Sequence, residues 1–280
     1  MRLGDIKVLH IHGGNFCLDG GAMFGVVPKP LWEKKAPPDS RNRIRLAANS
    51  LLVRAANKNV VIETGNGTKW SSKLRDIYGI QEGDPFIDNL ALAGVRPEQV
   101  DLVINTHLHF DHAGGNTRLV NGKAVPTFPN AKYIVQAAEI AHAANPTERD
   151  RASYFEENFL PMKESGQWHA INGDTEVLPG IAAIRIPGHN ADIQAIKLTG
   201  GDKTIFFVAD LMPTRHHTSL PWIMAYDLYP LQTLETKRKW IQTIVRENWI
   251  VVFGHDPDIP SATLHERENK IDFEPVELNK

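Results

Sequence analysis

Polar and apolar positions alternate over residues 6–12 (Ile-Lys-Val-Leu-His-Ile-His) and stop at Gly13-Gly14-Asn15, which predicts a strand and a turn. Residues 45–55 and 59–63 predict two more strands joined at Asn57-Lys58-Asn59. Helices are predicted over 70–78 and 85–93, the second stopped by Gly94. The apolar run 101–105 predicts a buried strand, and 132–136 another. Mostly helical chain, interrupted at Pro146, is expected over 137–163. Strands follow at 181–186, 193–198 and 204–208, then a helix at 233–248 with Leu234, Lys237, Trp240, Ile241, Ile244 and Val245 on one stripe. A buried strand at 250–253 ends the pattern, and the polar tail from Pro257 is expected to pack loosely. Strands and helices followed by strands and helices again suit two sheets face to face beneath outer helices. The expected class is α/β (α+β), four layers in the order αββα, as one domain over 1-280.

One stretch breaks the periodicity. From Asp19 to about residue 43 the chain is rich in glycine and proline yet carries Phe24, Leu31 and Trp32. Such a loop serves as a lid or a dimer contact, or is simply tacked to its own domain.

Composition narrows the field. A formal net charge of -2 leaves no basic footprint, so neither nucleic acid nor an anionic membrane surface is an expected partner. The single cysteine, Cys17, rules out an intramolecular disulfide and permits a reducing compartment. No stretch approaches the roughly 18 apolar residues of a membrane span, and the charged N-terminal residues do not resemble a secretory signal. The expected location is cytoplasmic.

The chemistry concentrates directly after the apolar run 101–105. His107, His109, Asp111 and His112 fall within six consecutive positions, followed by Gly114-Gly115, which would let the backbone turn sharply. Imidazole and carboxylate at this density are costly to bury unless something binds them, and a divalent metal is the usual solution. Zinc, manganese, iron or cobalt suit such donors, whereas calcium prefers an all-oxygen shell. The same event recurs later: His189 follows Pro187-Gly188, Asp210 ends a strand, and His255 follows Phe253-Gly254. Each is a ligand-type residue at the C-terminal end of an apolar run.

In order and type, this set resembles the ligands of the metallo-β-lactamase superfamily. The resemblance implies that His107, His109 and His189 hold one metal, Asp111, His112 and His255 a second, and that Asp210 bridges them. The segments Gly20–Trp32 and Asp210-Leu211-Met212-Pro213-Thr214 resemble the branch of quorum-quenching N-acyl-homoserine lactonases of the YtnP type, with methyl parathion hydrolase in a neighbouring branch. There are departures. Glu63-Thr64-Gly65 stands where the superfamily usually has Asp-Thr-Gly, and Asn190 where it usually has Thr after Pro-Gly-His. Residues 190–209 also lack the tyrosine that some homoserine lactonases place there.

The resemblance implies two divalent metal ions, zinc first among the alternatives, and a bridging hydroxide that opens a lactone ring by attack on its carbonyl. Asp111 would shuttle the proton to the leaving alkoxide. The expected substrate is a small ester or lactone, foremost an N-acyl-homoserine lactone. Phe24, Leu31, Trp32, Phe110, Met212, Trp222, Met224, Tyr226 and Tyr229 are expected to supply an apolar substrate wall or to pack in the core, and His216 or His217 a hydrogen bond to substrate. The alternatives are a phosphotriesterase or general carboxylesterase on the same site, or a metal-binding scaffold without catalysis. His109 argues against a redox di-iron site, which generally has glutamate there, and the apolar residues 22–32 make a homodimer an expectation.

Overall fold

The apolar runs of the first half pair into one sheet and those of the second half into another. In this computed structural model, which describes residues 1–268 and 270–279, the first sheet has seven strands. In spatial order they are Arg2–Leu3, Ile6–Asp19, Arg43–Ala55, Lys58–Ile62, Leu102–Ile104, Lys132–Gln136 and Trp168–Ile171. The first four pair antiparallel and the remainder parallel. The second sheet also has seven strands: Thr175–Leu178, Ile181–Arg185, Gln194–Gly200, Lys203–Phe207, Ile250–Val252, Ser261–Arg267 and Lys270–Pro275. Only Lys203–Phe207 and Ile250–Val252 run parallel within it.

Side-chain alternation explains how the layers join. Leu51, Val53, Val60, Ile62, Ile104 and Ile134 point from the first sheet into a core shared with Ile181, Ile196, Leu198 and Phe207 of the second. Leu52, Val61, Val103, Tyr133 and Val135 point the other way, onto Phe86 and Leu90 of the helix Pro85–Leu92. A strand buried on both faces needs apolar residues throughout, which is why these runs read as continuous. The long helix Pro230–Arg246 covers the second sheet, with Ile241 and Ile244 in the core and Trp240 against Phe206 at 4.8 Å. The result is two mixed sheets flanked by helices.

Several boundaries differ from the sequence expectation. The strand predicted over 6–12 continues to Asp19, because Gly13-Gly14 forms a bulge rather than a turn: the register shifts between His12 and Asn15. The segment from Asp19 is partly helical, with Gly20–Phe24 capped by Asp19, whose carboxylate accepts from Ala22 N at 2.8 Å, and a short turn Lys29–Trp32. Met23, Phe24 and Trp32 anchor it in a satellite core, leaving Val26 and Leu31 exposed. The helical segment expected over 137–163 breaks into Ala137–Ala143 and Leu160–Glu164, with two short 3-10 turns, Arg151–Ser153 and Glu156–Asn158, between them. The tail expected to pack loosely instead supplies the strands Ser261–Arg267 and Lys270–Pro275.

Candidate metal centre

All the predicted ligands emerge at one edge of the sandwich. His107 and His109 follow the strand Leu102–Ile104, and the four-residue helix Phe110–Ala113 carries Asp111 and His112. From the second sheet come His189 after Ile181–Arg185, Asp210 in the turn Ala209–Leu211 after Lys203–Phe207, and His255 after Ile250–Val252. Two residues here hold a left-handed backbone that side chains disfavour, Glu63 at φ 61° and Ala209 at φ 47°. Strain of this kind persists only where the surroundings over-determine it. Gly114-Gly115 does not make the sharp turn expected of it, since Gly114 has ordinary helical angles. Glycine is needed for close approach: a Cβ on Gly114 would meet Asn66 O at 2.2 Å, and one on Gly115 would meet Thr64 O at 2.3 Å.

Seven side chains converge in three overlapping groups, His107/His109/His189, His107/His112/Asp210 and Asp111/His112/His255, with donor atoms in each group within 4.8 Å of one another. Asp210 lies between them: Oδ1 is 3.1 Å from His255 Nε2 and 3.3 Å from His112 Nε2, and Oδ2 is 3.4 Å from His189 Nε2. All seven side chains are buried. His107 Nε2 and Asp210 Oδ1, both within the cluster, have no hydrogen-bond partner, an expensive arrangement for buried polar atoms. Imidazole nitrogens also face each other, His189 Nε2 and His109 Nδ1 at 3.1 Å and His255 Nε2 and His112 Nε2 at 3.0 Å. Two donors about 2.0–2.1 Å from a tetrahedral ion stand about 3.3 Å apart, so these separations fit a bound metal. The donor set is consistent with a di-metal site.

The far sides of the imidazoles are held by the protein. His189 Nδ1 faces Asp227 Oδ1 at 2.9 Å, His255 Nδ1 faces the Ala47 carbonyl at 3.0 Å, and His107 Nδ1 faces Thr106 Oγ1 at 3.0 Å. Such partners fix ring orientation and tautomer. Glu63 accepts from Thr106 N at 2.7 Å and Asn105 Nδ2 at 3.3 Å, tying the motif loop to the neighbouring strand end. Asp256 and Asn49 brace the His255 loop, Asp256 by accepting from Arg215 N and Asn49 by donating to the Phe253 and Asp256 carbonyls.

Electrostatics within the metal-free protein divide the histidines. Burial, then the neighbouring imidazoles, hold His107 and His109 well below the ordinary histidine range, in the neutral form that metal ligation requires. Burial also opposes charge on His112, but Asp210, Asp111 and Glu63 together outweigh it and push His112 well above that range. Asp210 is held well below the usual carboxylate range because His112, His255 and His189 overcome the penalty of burial.

A cavity of about 290 Å³ opens onto this cluster. His109, Asp111, His189, Asp210 and His255 line it together with Leu18, Met23, Tyr78, Phe110, Met224 and Tyr226. Arg149, Asp150 and Ser153 contribute a polar side. Of the residues expected to form a substrate wall or to pack in the core, Phe110, Met224 and Tyr226 line this cavity. Phe24 and Trp32 do not, because Phe24 is stacked between Trp32 at 5.4 Å and His217 at 5.1 Å inside the satellite core. Met212 is fully buried in the main core, and His216 lines a separate groove beside Arg215 and Trp222. His217 is also structural: Nδ1 meets Thr214 Oγ1 at 2.8 Å and Nε2 meets the Met23 carbonyl at 2.9 Å. Tyr78, Arg149 and Asp227 were missed in the sequence, since nothing in their local pattern separates them from surface residues.

Fold and site together define a class, and direct comparison agrees. Residues 43–255 match the model of the metallo-beta-lactamase superfamily, and the chain belongs to that family. An N-acyl homoserine lactonase from Bacillus sp is 30% identical over 178 residues, 62% of this chain and 63% of that protein, so the match spans less than two thirds of the relative's length. The N-acyl homoserine lactonase AttM of Rhizobium radiobacter is 25% identical over 217 residues, 71% of this chain and 77% of its own. A solved structure described as a probable metal-dependent hydrolase from Staphylococcus aureus is 32% identical, with a TM-score of 0.91 over 99% of both chains. AidC, a dizinc quorum-quenching lactonase solved with its product, shares the fold at a TM-score of 0.81 and 16% identity, over 99% of this chain and 96% of its own.

Proposed function

We propose that the protein is a dinuclear-metal hydrolase that opens lactone rings, with N-acyl homoserine lactones as its substrate class. The observation that carries this reading is a buried cluster of five histidines and two aspartates at the floor of a largely apolar cavity. The named lactonases among its relatives support the substrate. His107, His109 and His189 would hold one ion, Asp111, His112 and His255 the other, and Asp210 both. The imidazole-rich donor set favours zinc. Metal ions in such a site polarise a carbonyl and make a water reactive near neutral pH.

The chain's own residues do the remainder. Leu18, Met23, Phe110 and Met224 offer apolar surface to an acyl chain. Tyr78 and Tyr226 line the cavity, and desolvation with nearby carboxylates raises both phenols above the usual tyrosine range, so they stay protonated and would donate to the substrate carbonyl. Asp111 lines the same space and would pass a proton to the ring oxygen as its bond to the carbonyl carbon breaks. Water adds to the acyl carbon, the ring C–O bond opens, and the product is an N-acyl homoserine.

The test is a hydrolysis panel on protein of measured metal content: acyl homoserine lactones, simple lactones, aryl esters, phosphotriesters and a β-lactam. Highest kcat/KM on the homoserine lactones, with two metal equivalents bound, is the expected result. Preference for phosphotriesters or the β-lactam over every lactone overturns the substrate assignment. An Asp210→Asn protein that keeps both metals and full turnover overturns the site.

A further inference from the structure

Glu139 is a buried carboxylate outside the ligand set, in the first turn of the helix Ala137–Ala143 that follows the strand Lys132–Gln136. Three donors converge on it. Oε1 accepts from the backbone N of Leu108 at 2.8 Å and from Tyr154 Oη at 3.1 Å, and Oε2 accepts from Asn190 Nδ2 at 3.0 Å. Leu108 lies between His107 and His109, and Asn190 directly follows His189. One carboxylate is thus bonded beside the histidines of the first sheet and beside the histidine of the second.

The surroundings leave these groups little freedom. Asn190 Nδ2 also reaches Tyr154 Oη at 3.3 Å, and Asn190 Oδ1 accepts from Asp192 N at 3.0 Å. The Tyr154 ring stands edge-on against His109, 4.6 Å between centroids at 70°. The Asn190 amide thus spans Glu139 and Tyr154. A second tie between the sheets, Gln194 to the Asn105 and Thr106 backbone, acts upstream of the first histidine and does not touch His109 or His189.

We propose that Glu139, with Tyr154 and Asn190, is a positioning residue that sets the separation of His109 and His189 across the two sheets, and through it the affinity of the His107/His109/His189 group for metal. The inference rests on the metal reading above. A carboxylate suits this place because all three neighbours are donors. Glutamine would turn an NH2 group toward one of them, and a buried donor facing a donor is destabilising.

The experiment compares wild type, Glu139→Gln and Tyr154→Phe, each stripped of metal and titrated with zinc against a chromophoric chelator, and each loaded with cobalt for visible spectra. The expected result for Glu139→Gln is a loss of 10-fold or more in affinity for one zinc equivalent, with the other retained and the cobalt bands displaced. That range is the usual effect of removing a group that orients a metal ligand. Tyr154→Phe, which removes one donor only, should show a smaller loss of the same equivalent. Wild-type affinity and an unchanged cobalt spectrum in Glu139→Gln overturn the inference. If Glu139→Gln does not fold, the same outcome in Tyr154→Phe overturns it. Failure of the wild type to bind two equivalents would instead sink the metal reading itself.

Discussion

Asp227 Oδ1 lies 2.9 Å from Nδ1 of His189, and the other oxygen of Asp227 accepts a hydrogen bond from Thr233 Oγ1 at 2.7 Å. A carboxylate at Nδ1 holds the proton on that nitrogen, so that Nε2, 3.4 Å from Asp210 Oδ2, is the nitrogen available to a metal. Thr233 lies in the first turn of the long helix over the second sheet, so the orientation of a candidate ligand is referred back to the scaffold.

Asp227→Ala should therefore lower metal affinity by about 10- to 100-fold, the usual consequence of removing a ligand's outer partner. Chelator competition measures it. Thr233→Val, which leaves the carboxylate in place, should cost less. Equal affinity in Asp227→Ala and wild type would show that His189 is held without it.

Acid sensitivity has an identifiable source away from the metal cluster. Burial lowers the His217 pKa from 6.5 to about 3. Between those values the unfolded chain carries a proton that the folded one refuses, so stability falls as pH drops below about 6.5. The contribution amounts to about 1.4 kcal/mol per pH unit. Glu139 acts with the opposite sign: burial raises its pKa from 4.5 to about 7, so it favours the folded state as pH falls through that window. Comparing metal-free wild type with His217→Gln by denaturant unfolding at pH 7, 6 and 5 cancels the Glu139 contribution. The variant should lose less stability than wild type over this range, and parallel curves would exclude His217 as the source.

The ligands were legible because a polar, ionisable residue at the end of an apolar run is conspicuous, and His107, His189, Asp210 and His255 all repeat that arrangement. The central strands were legible because Val60, Val61 and Ile62 are buried on both faces of the sheet. The cavity wall was not. Phe24, Trp32 and Met212 look like substrate contacts by proximity to the motifs, but ring stacking and core packing, both long-range, decide where they point. Asp227 and Glu139 escaped notice because a buried acid and a surface acid read alike until the chain is folded. The terminal strands were hidden for another reason: Lys270–Pro275 lies at the sheet edge, mostly exposed, and carries the charged side chains of a solvated tail.

That tail makes its own prediction. Leu278 is 2% exposed in the main core, Val276 N donates to the Ser261 carbonyl at 2.9 Å, and Asn279 bonds to both backbone groups of His10. Leu278→Ala should cost about 2–5 kcal/mol, the range for truncating a buried leucine. Denaturant midpoints give the value, and a loss below about 0.5 kcal/mol, typical of exposed positions, would mean the tail does not hold the core.

Tyr226 separates binding from stability. Its side chain lines the cavity and its hydroxyl makes no hydrogen bond to the described residues, so removing the oxygen breaks no hydrogen bond within the described fold. A protonated phenol that donates to a lactone carbonyl is worth about 0.5–1.5 kcal/mol, or about 2- to 12-fold in kcat/KM. Tyr226→Phe should lose activity on acyl homoserine lactones by that factor while its melting temperature stays that of wild type. Tyr78→Phe should behave alike if both phenols reach the substrate, although its ring also packs on Phe110 at 5.0 Å and on Trp70 at 5.8 Å. A non-hydrolysable acyl homoserine lactam, titrated calorimetrically, isolates the binding contribution. Unchanged lactam affinity together with unchanged kcat/KM in the double variant would leave carbonyl recognition to the metal centre alone.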